Sequence, residues 1–228
     1  MTEKVKAIIT GATGMVGEEV VESCISSPDV ESILLVNRRE SGFKHPKIKE
    51  IVHKDLSDLE SIEDEFKGYN SVYYCMGTSS VGVDKDTYYK ITYDMPMAMV
   101  NSFAKVNNAK SKSDNNLTFV YVTGNGTNIN GWQNWQKVKG KTEADIIKSP
   151  IKNGYAFRPG FMKPTPGLRY TSSYYKYIGW MYGIGRAISS NGFITLKELG
   201  SAMINASTKG YSKNILEGSD IVKLANKL

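Results

Sequence analysis

The sequence predicts an α/β fold in which a doubly wound parallel β-sheet forms a single domain over residues 1–228. Apolar runs of strand length alternate with helical segments along most of the chain, which is the pattern of repeated strand–helix units. A glycine-rich turn joins the first strand to the first helix. The length of 228 residues suits one domain with a core large enough to fold unaided. The segment from about 161 to 228 would form its substrate side.

The turn after the first strand has the sequence TGATGMVG, with the spacing Gly-x-x-Gly-x-x-Gly. Gly11 would allow a sharp turn, Gly14 would let a diphosphate approach the backbone, and Gly17 would let the helix pack closely on the strand. The free N–H groups at the start of the helix would then face the phosphates. The pattern predicts the dinucleotide-binding turn of an NAD(P)-binding Rossmann fold. An ordinary glycine-rich connection is the alternative.

The first helix should end at Ser26–Pro28, because proline cannot continue it. A second buried strand, Ser32–Val36, is followed by Asn37, Arg38 and Arg39. An acidic residue here would bind the ribose 2′-hydroxyl of NAD, whereas two arginines suit the 2′-phosphate of NADP. The sequence therefore favours NADP(H), with NAD(H) still possible. Solvated surface charge is the alternative reading of the two arginines.

Two further strands are predicted at Ile48–His53 and Val72–Cys75. Asp55 follows the first of them and would either meet the adenine amino group or cap a helix over residues 58–66. Met76, Gly77 and Thr78 follow the second strand, where small residues let the backbone pass beside the coenzyme.

The rest of the chain predicts three more helices and two more strands. A long helix over 84–110 should be interrupted at Pro96. A fifth strand over 117–122, a helix over 132–148 and a sixth strand over 153–157 should follow. Thr195 and Glu198 form a capping box at the start of a helix that runs to Ser207.

Composition narrows the class of protein. The formal charge of +6 comes from 29 basic and 23 acidic residues scattered along the chain, without the continuous basic face that nucleic-acid binding needs. Two cysteines and two histidines at wide spacing predict no metal site. The charged N-terminus is not a secretory signal and no apolar run reaches membrane-spanning length, so a cytoplasmic protein without a transmembrane segment is expected.

An aromatic group over 170–182 would line a substrate pocket, rest on a membrane or pack on the sheet edge.

Several motifs in this order resemble the atypical short-chain dehydrogenase/reductases, and most closely the Tat-interacting oxidoreductase family, which binds NADPH. They are the glycine turn, the two arginines, Met-Gly-Thr after strand four, Val138-Lys139-Gly140 and Arg158-Pro159-Gly160, and the resemblance covers essentially the whole chain. It implies an oxidoreductase that acts on a small carbonyl or hydroxyl compound. The residues predicted to contact the coenzyme are Gly11, Thr13, Gly14, Met15, Val16, Gly17, Asn37, Arg38, Arg39, Asp55, Leu56, Cys75, Met76, Gly77, Thr78, Lys139, Pro159 and Gly160.

In the family that the chain resembles, a Tyr-x-x-x-Lys pair on the helix after strand five carries the chemistry. The lysine binds the nicotinamide ribose and lowers the pKa of the phenol, which exchanges a proton with the substrate oxygen. A serine or threonine at the end of strand five assists. Here Lys139 matches the lysine, but Trp135 occupies the tyrosine position, and an indole has no acid–base equilibrium near neutral pH. The hydroxyl position falls on Thr123 or on Gly124.

Two functions follow from this mixture of kept and lost residues. The first is an NADP-dependent oxidoreductase in which Lys139 orients the ribose, Thr123 polarises a carbonyl, and water or a remote tyrosine supplies the proton. The remote candidates are Tyr88, Tyr89, Tyr174 and Tyr175. The second is a catalytically weak or inactive regulatory protein whose NADP(H) occupancy orders its loops for a protein partner.

Overall fold

The computed structural model describes residues 3–171 and 192–227. Tyr174, Tyr175 and most of the aromatic group over 170–182 therefore lie outside the described residues. The strands are β1 Val5–Thr10, β2 Val30–Asn37, β3 Ile48–Val52, β4 Ser71–Tyr74, β5 Thr118–Val122, β6 Asn153–Arg158, β7 Phe161–Lys163, β8 Phe193–Thr195 and β9 Ile215–Glu217. The α-helices are α1 Met15–Ser26, α2 Lys85–Tyr89, α3 Met95–Val106, α4 Asn134–Lys148, α5 Leu196–Lys209 and α6 Gly218–Ala225.

A seven-stranded sheet in the order β3-β2-β1-β4-β5-β6-β9 forms the centre of the molecule. Each neighbouring pair in it is parallel, and β7 and β8 pair separately. The chain winds outward from β1 in one direction and then from β4 in the other. This confirms the predicted doubly wound sheet. Its switch point lies between β1 and β4, and ligands of such sheets bind beyond the carboxyl ends of the strands at this point.

Two apolar layers cover the two faces of the sheet. Ile9 contributes to the layer beneath α1, α5 and α6, while its neighbour Ile8 contributes to the layer beneath α3 and α4. Successive strand residues point to opposite faces, so the continuous apolar run of β1 supplies both layers. The sheet is therefore buried on both sides, and only its edges and strand ends remain for binding.

The helix predicted over 58–66 is reduced to a 3₁₀ turn at Glu63–Phe66. Side chains in this stretch bind nearby backbone instead: the Ser57 N–H donates to Asp55 (3.0 Å) and the Glu60 N–H donates to Asp58 (3.3 Å). Such local bonds compete with helix formation. The prediction of a full helix was wrong.

The helical region over 84–110 is interrupted, but ahead of Pro96 rather than at it. A π-helical turn, Lys90–Asp94, joins α2 to α3. Pro96 has no N–H to bond the carbonyl of Thr92, four residues earlier. That carbonyl instead accepts from the Tyr121 hydroxyl (3.1 Å) and the Thr142 hydroxyl (2.9 Å), which attach the turn to β5 and α4.

The predicted capping box at Thr195 is confirmed. The Glu198 N–H donates to the Thr195 hydroxyl (3.0 Å), and the Thr195 N–H donates to the Glu198 carboxylate (2.7 Å).

The sequence missed the short strands β7, β8 and β9, which have only three residues each. Runs of that length carry no readable periodicity.

Candidate functional site

The glycine turn lies at the switch point, and the protein itself requires two of its three glycines. Gly11 has φ +76°, and a Cβ there would come within 2.9 Å of the Cys75 carbonyl carbon. A Cβ at Gly17 would lie 2.1 Å from the Gly11 carbonyl oxygen. A Cβ at Gly14 would meet only the Gly11 oxygen, at 3.5 Å. Gly14 is therefore open on its outer side, at the start of α1.

A cavity of about 460 Å³ opens beside this turn, beyond the carboxyl ends of β1, β2 and β4. All of its lining residues except Val36 are among the residues that the sequence predicted to contact the coenzyme. Of the predicted coenzyme contacts, Met15, Val16, Gly17, Asp55, Thr78, Lys139, Pro159 and Gly160 are not part of the lining. The lining residues are Gly11, Thr13, Gly14, Val36, Asn37, Arg38, Arg39, Leu56, Cys75, Met76 and Gly77.

Asn37 fixes the end of β2 to the glycine turn. Its side-chain oxygen accepts from the Ala12 N–H (3.1 Å), and its amide nitrogen donates to Glu50 (2.8 Å). The Asn37 side chain is buried, so its bonds hold the cavity wall in place. Sequence reasoning missed Glu50, because only the parallel pairing of β2 with β3 brings it near Asn37.

Arg38 and Arg39 are both exposed at the mouth of the cavity. Neither forms an ion pair with a carboxylate in residues 3–171 or 192–227. Their charge is thus available to an anion.

The Asp55 carboxylate is hydrogen-bonded to two neighbouring side chains of the protein. One oxygen accepts from the Ser57 hydroxyl (2.6 Å) and the other from the Lys90 ammonium (2.8 Å). The hydrogen bonds from Lys90 and Ser57 hold the Asp55 pKa well below its usual range. Asp55 therefore caps a local turn, in place of the helix that the sequence predicted.

Lys139 points toward the carboxyl end of β5. Its Nζ lies 3.7 Å from where a Cβ at Gly124 would stand. Among the described residues, this ammonium forms no hydrogen bond and no ion pair. Burial lowers the Lys139 pKa, and the charge of Glu143 opposes that shift in part. The ammonium therefore lies beside the loop that follows β5.

Trp135 lies one turn before Lys139, near the start of α4. Its indole N–H donates to the Gln133 side chain, and its ring approaches Gly126. The single proton that an indole offers is therefore used within the protein. Trp135 packs on the β5–α4 loop.

The hydroxyl of Thr123 is tied to a neighbour. Its oxygen lies 2.8 Å from the Thr127 hydroxyl oxygen, and Thr127 donates to the Gly124 carbonyl (2.8 Å). Because a hydroxyl has one proton, Thr127 accepts from Thr123. Thr123 can donate to a substrate carbonyl only if its hydroxyl first gives up the hydrogen bond to Thr127.

Two of the four remote tyrosines, Tyr88 and Tyr89, lie within the described residues, and neither lines the cavity. Tyr88 is only 2 % exposed, and burial raises the pKa of its phenol. The Tyr89 ring packs on Tyr93, with 5.0 Å between ring centroids.

Within the described parts of the chain, no group of three or more His, Cys, Asp and Glu residues could hold a metal ion. Of the helices described, none combines the length and apolar character needed to cross a membrane.

The sequence matches the NAD dependent epimerase/dehydratase family over residues 7–124, which is more than half of the chain. The chain belongs to this family. The matched part contains the glycine turn, β2 with its two arginines, β4 and β5, and thus the whole cavity. Membership supports binding of a nicotinamide dinucleotide, and the open side of Gly14 and the cavity beside it fit a diphosphate.

Curated relatives of this chain are FMP52 mitochondrial proteins from yeasts. The Candida albicans protein is 29% identical over 96% of this chain and 98% of its own length. The Candida glabrata protein is 28% identical over 68% of this chain, and the match spans 63% of its length. These relatives carry a different name from the Tat-interacting oxidoreductases that the motifs resemble.

The names of these relatives overturn the expected cytoplasmic location. The Candida and Saccharomyces cerevisiae relatives are all named as mitochondrial. The expectation rested on the interpretation that the sequence contains neither a secretory signal nor a membrane-spanning run, and neither feature would separate mitochondrial from cytoplasmic proteins. The cytoplasmic prediction was wrong.

Solved structures support the fold alone. A UDP-N-acetylglucosamine 4-epimerase from Methanobrevibacter ruminantium M1 superposes with a TM-score of 0.65 at 17% identity, covering 97% of this chain and 81% of that one. A uronate dehydrogenase from Agrobacterium tumefaciens gives a TM-score of 0.67 at 14% identity, covering 95% and 77%.

Proposed function

We propose that this protein is an NADP(H)-dependent oxidoreductase that acts on a small carbonyl or hydroxyl compound. One observation carries the proposal: the same cavity at the switch point is lined by the glycine turn and by two arginines that form no ion pair within the described residues. The turn suits a diphosphate and the arginines suit a further phosphate on the ribose.

The preference for NADP(H) follows from the charges around the cavity. Arg38 and Arg39 line it, and its described lining contains no acidic side chain. The described lining therefore offers no carboxylate to the free 2′-hydroxyl of NAD, while its two guanidinium groups can bind a 2′-phosphate. We expect NADPH to bind more tightly than NADH.

Lys139 is the residue best placed to act on the reacting end. Bound NADPH would supply the hydride that reaches the substrate carbonyl carbon. Lys139 would bind the nicotinamide ribose and give a proton from Nζ to the substrate oxygen, then regain it from solvent. Trp135 and Thr123 cannot take this role as they stand, because their protons are directed at Gln133 and Thr127. A lowered lysine pKa suits such a transfer.

Removing the Lys139 ammonium should slow turnover strongly while leaving most coenzyme binding in place. We expect Lys139→Met to lower the rate of NADPH oxidation with a panel of quinones and short aldehydes by about 10²–10⁴-fold. Lys137→Met, on the same helix and exposed, should change nothing. The wild-type rate should fall as the pH rises through a value below the ordinary lysine pKa, because only protonated Lys139 donates. A rate in Lys139→Met equal to that of the wild type would contradict this role.

A regulatory protein without turnover is the second candidate, and the engaged indole of Trp135 favours it. The variant Trp135→Tyr separates the two. If the wild type binds NADPH but oxidises none with any carbonyl, and Trp135→Tyr gains activity, the regulatory function holds. If the wild type turns over and Lys139→Met does not, the protein is an enzyme.

We also infer a mitochondrial location from the names of its relatives. A tagged copy expressed in yeast should co-sediment with a mitochondrial marker after fractionation. A soluble cytosolic enzyme serves as the control. Recovery of the tagged protein with that cytosolic enzyme would contradict the inference.

A further inference from the structure

A buried carboxylate in α1 holds a distant segment of the chain. Glu18 lies in the first turn of α1 and is only 2 % exposed. One of its oxygens accepts from the backbone N–H (2.8 Å) and the Nε (3.1 Å) of Arg169, and the other accepts from the backbone N–H of Tyr170 (2.8 Å). Three donors compensate the burial of this charge. The segment that contains Arg169 is thereby fixed against the helix that follows the glycine turn.

The same segment holds the loop after β2. The buried Ser41 accepts at its carbonyl oxygen from Arg169 Nη1 (3.3 Å) and from the Tyr170 hydroxyl (3.3 Å). The Arg169 guanidinium also lies over the Phe43 ring, 4.5 Å from its centroid. Residues 38–43, which we call the arginine loop, therefore pack against Arg169 and Tyr170.

These contacts complete a hydrogen-bonded ring around the arginine loop. Ala12 in the glycine turn bonds Asn37, Asn37 bonds Glu50, and Glu50 accepts from the Ser41 N–H (2.9 Å). Ser41 in turn accepts hydrogen bonds from Arg169 and Tyr170. Both of these residues also donate to Glu18 in α1, which closes the ring. The loop is held at Asn37 and at Ser41, while Arg38 and Arg39 between them stay exposed.

We propose that Glu18, Arg169 and Tyr170 form a clamp that positions the arginine loop and so sets the discrimination between NADPH and NADH. The proposal rests on the NADP(H) preference proposed above. Arg169 is a positioning residue: it is not part of the cavity lining, and it acts on the 2′-phosphate only through the loop that presents Arg38 and Arg39. A loop held in the binding conformation before the ligand arrives loses less entropy on binding.

The ratio of the dissociation constants for NADPH and NADH tests the clamp. We expect Arg169→Met to weaken NADPH binding by about tenfold and to leave NADH binding nearly unchanged. Tyr170→Phe removes only the hydroxyl that binds Ser41, so it should fold and weaken NADPH binding by about threefold. Binding is measured by coenzyme fluorescence on the full chain.

Lys213→Met is the matched control. Lys213 is an exposed cation paired with the buried carboxylate of Asp220 at 2.9 Å, in the first turn of α6, as Arg169 is paired with Glu18 in α1. It should cost similar stability and leave the coenzyme ratio unchanged. An equal change in the ratio for Lys213→Met would show that general destabilisation is the cause and would overturn the proposal.

A second measurement needs no coenzyme. Hydrogen exchange of the arginine-loop amides should accelerate in Arg169→Met and in Tyr170→Phe, but not in Lys213→Met. An unchanged NADPH:NADH ratio in both clamp variants would overturn the clamp, as would equal losses for both coenzymes.

Arg38→Ala separates the clamp from the function on which it rests. This variant should weaken NADPH far more than NADH. If it weakens both equally, the 2′-phosphate assignment itself fails and the clamp has nothing to position. If it changes the ratio while Arg169→Met and Tyr170→Phe do not, only the clamp fails.

Discussion

Gly17→Ala should destabilise the fold, because the added methyl group would collide with backbone. Its Cβ would lie 2.1 Å from the Gly11 carbonyl oxygen and 2.9 Å from the Ala12 nitrogen, and neither atom belongs to a flexible side chain. Either the glycine turn or α1 must move. We expect a loss of about 3 kcal/mol or more in the free energy of unfolding, measured with urea. NADPH binding should be lost with it.

Gly14→Ala is the informative partner of this variant. Its Cβ meets only the Gly11 oxygen, at an ordinary 3.5 Å, so the fold should tolerate it. The methyl group would occupy the space in which we expect the diphosphate to lie, so NADPH affinity should fall on the order of a hundredfold. Gly68→Ala, at φ +81° and far from the cavity, controls for a general glycine effect and should not alter binding. Unchanged affinity in Gly14→Ala would remove the diphosphate from this turn.

Arg158→Met should cost about 3–5 kcal/mol of folding stability, because it strands a buried carboxylate. Glu143 is only 2 % exposed, and its carboxylate accepts hydrogen bonds from both Nε (3.0 Å) and Nη2 (2.5 Å) of Arg158. Arg158 also binds Glu217 at 3.2 Å and so links α4 and β6 to β9. Urea unfolding of the variant measures the loss.

A double variant shows whether the stranded charge is the cause. Arg158→Met with Glu143→Leu removes both charges and should recover most of the stability, since an apolar pair of similar size often replaces a buried ion pair without loss. Lys49→Met, which breaks the exposed Lys49–Glu65 pair, should barely change stability. A double variant as unstable as Arg158→Met alone would assign the loss to packing instead.

Short-range rules were enough for much of the fold. The glycine spacing predicted the turn, Pro28 predicted the end of α1, and Thr195 with Glu198 predicted the start of α5. Each depends on residues within one or two turns of one another, so the local sequence contains the whole cause. The same holds for the alternation of strands and helices that predicted the doubly wound sheet.

The sequence identified the lysine that we propose acts on the substrate, but it did not identify the hydrogen bonds of the groups around it. Lys139 and Trp135 were singled out by the resemblance to a family with a Tyr-x-x-x-Lys pair. That the indole proton goes to Gln133, and the Thr123 proton to Thr127, follows only from atomic positions, because either hydroxyl of a threonine pair can donate until the next acceptor is known. The sequence showed that the tyrosine of the family's pair is absent. It did not show that the hydrogen-bond donors of Trp135 and Thr123 already have acceptors within the protein.

The sequence by itself determined a Rossmann-type sheet with a glycine turn and two arginines after β2. Tertiary structure decided what holds those arginines: Asn37, Glu50, Ser41, Arg169 and Glu18 come from four separate parts of the chain. Arg169 lies 151 residues from Glu18, and no local pattern encodes that distance. Buried charges find their partners only when folding brings them together, since the cost of leaving them unpaired arises only in the packed interior.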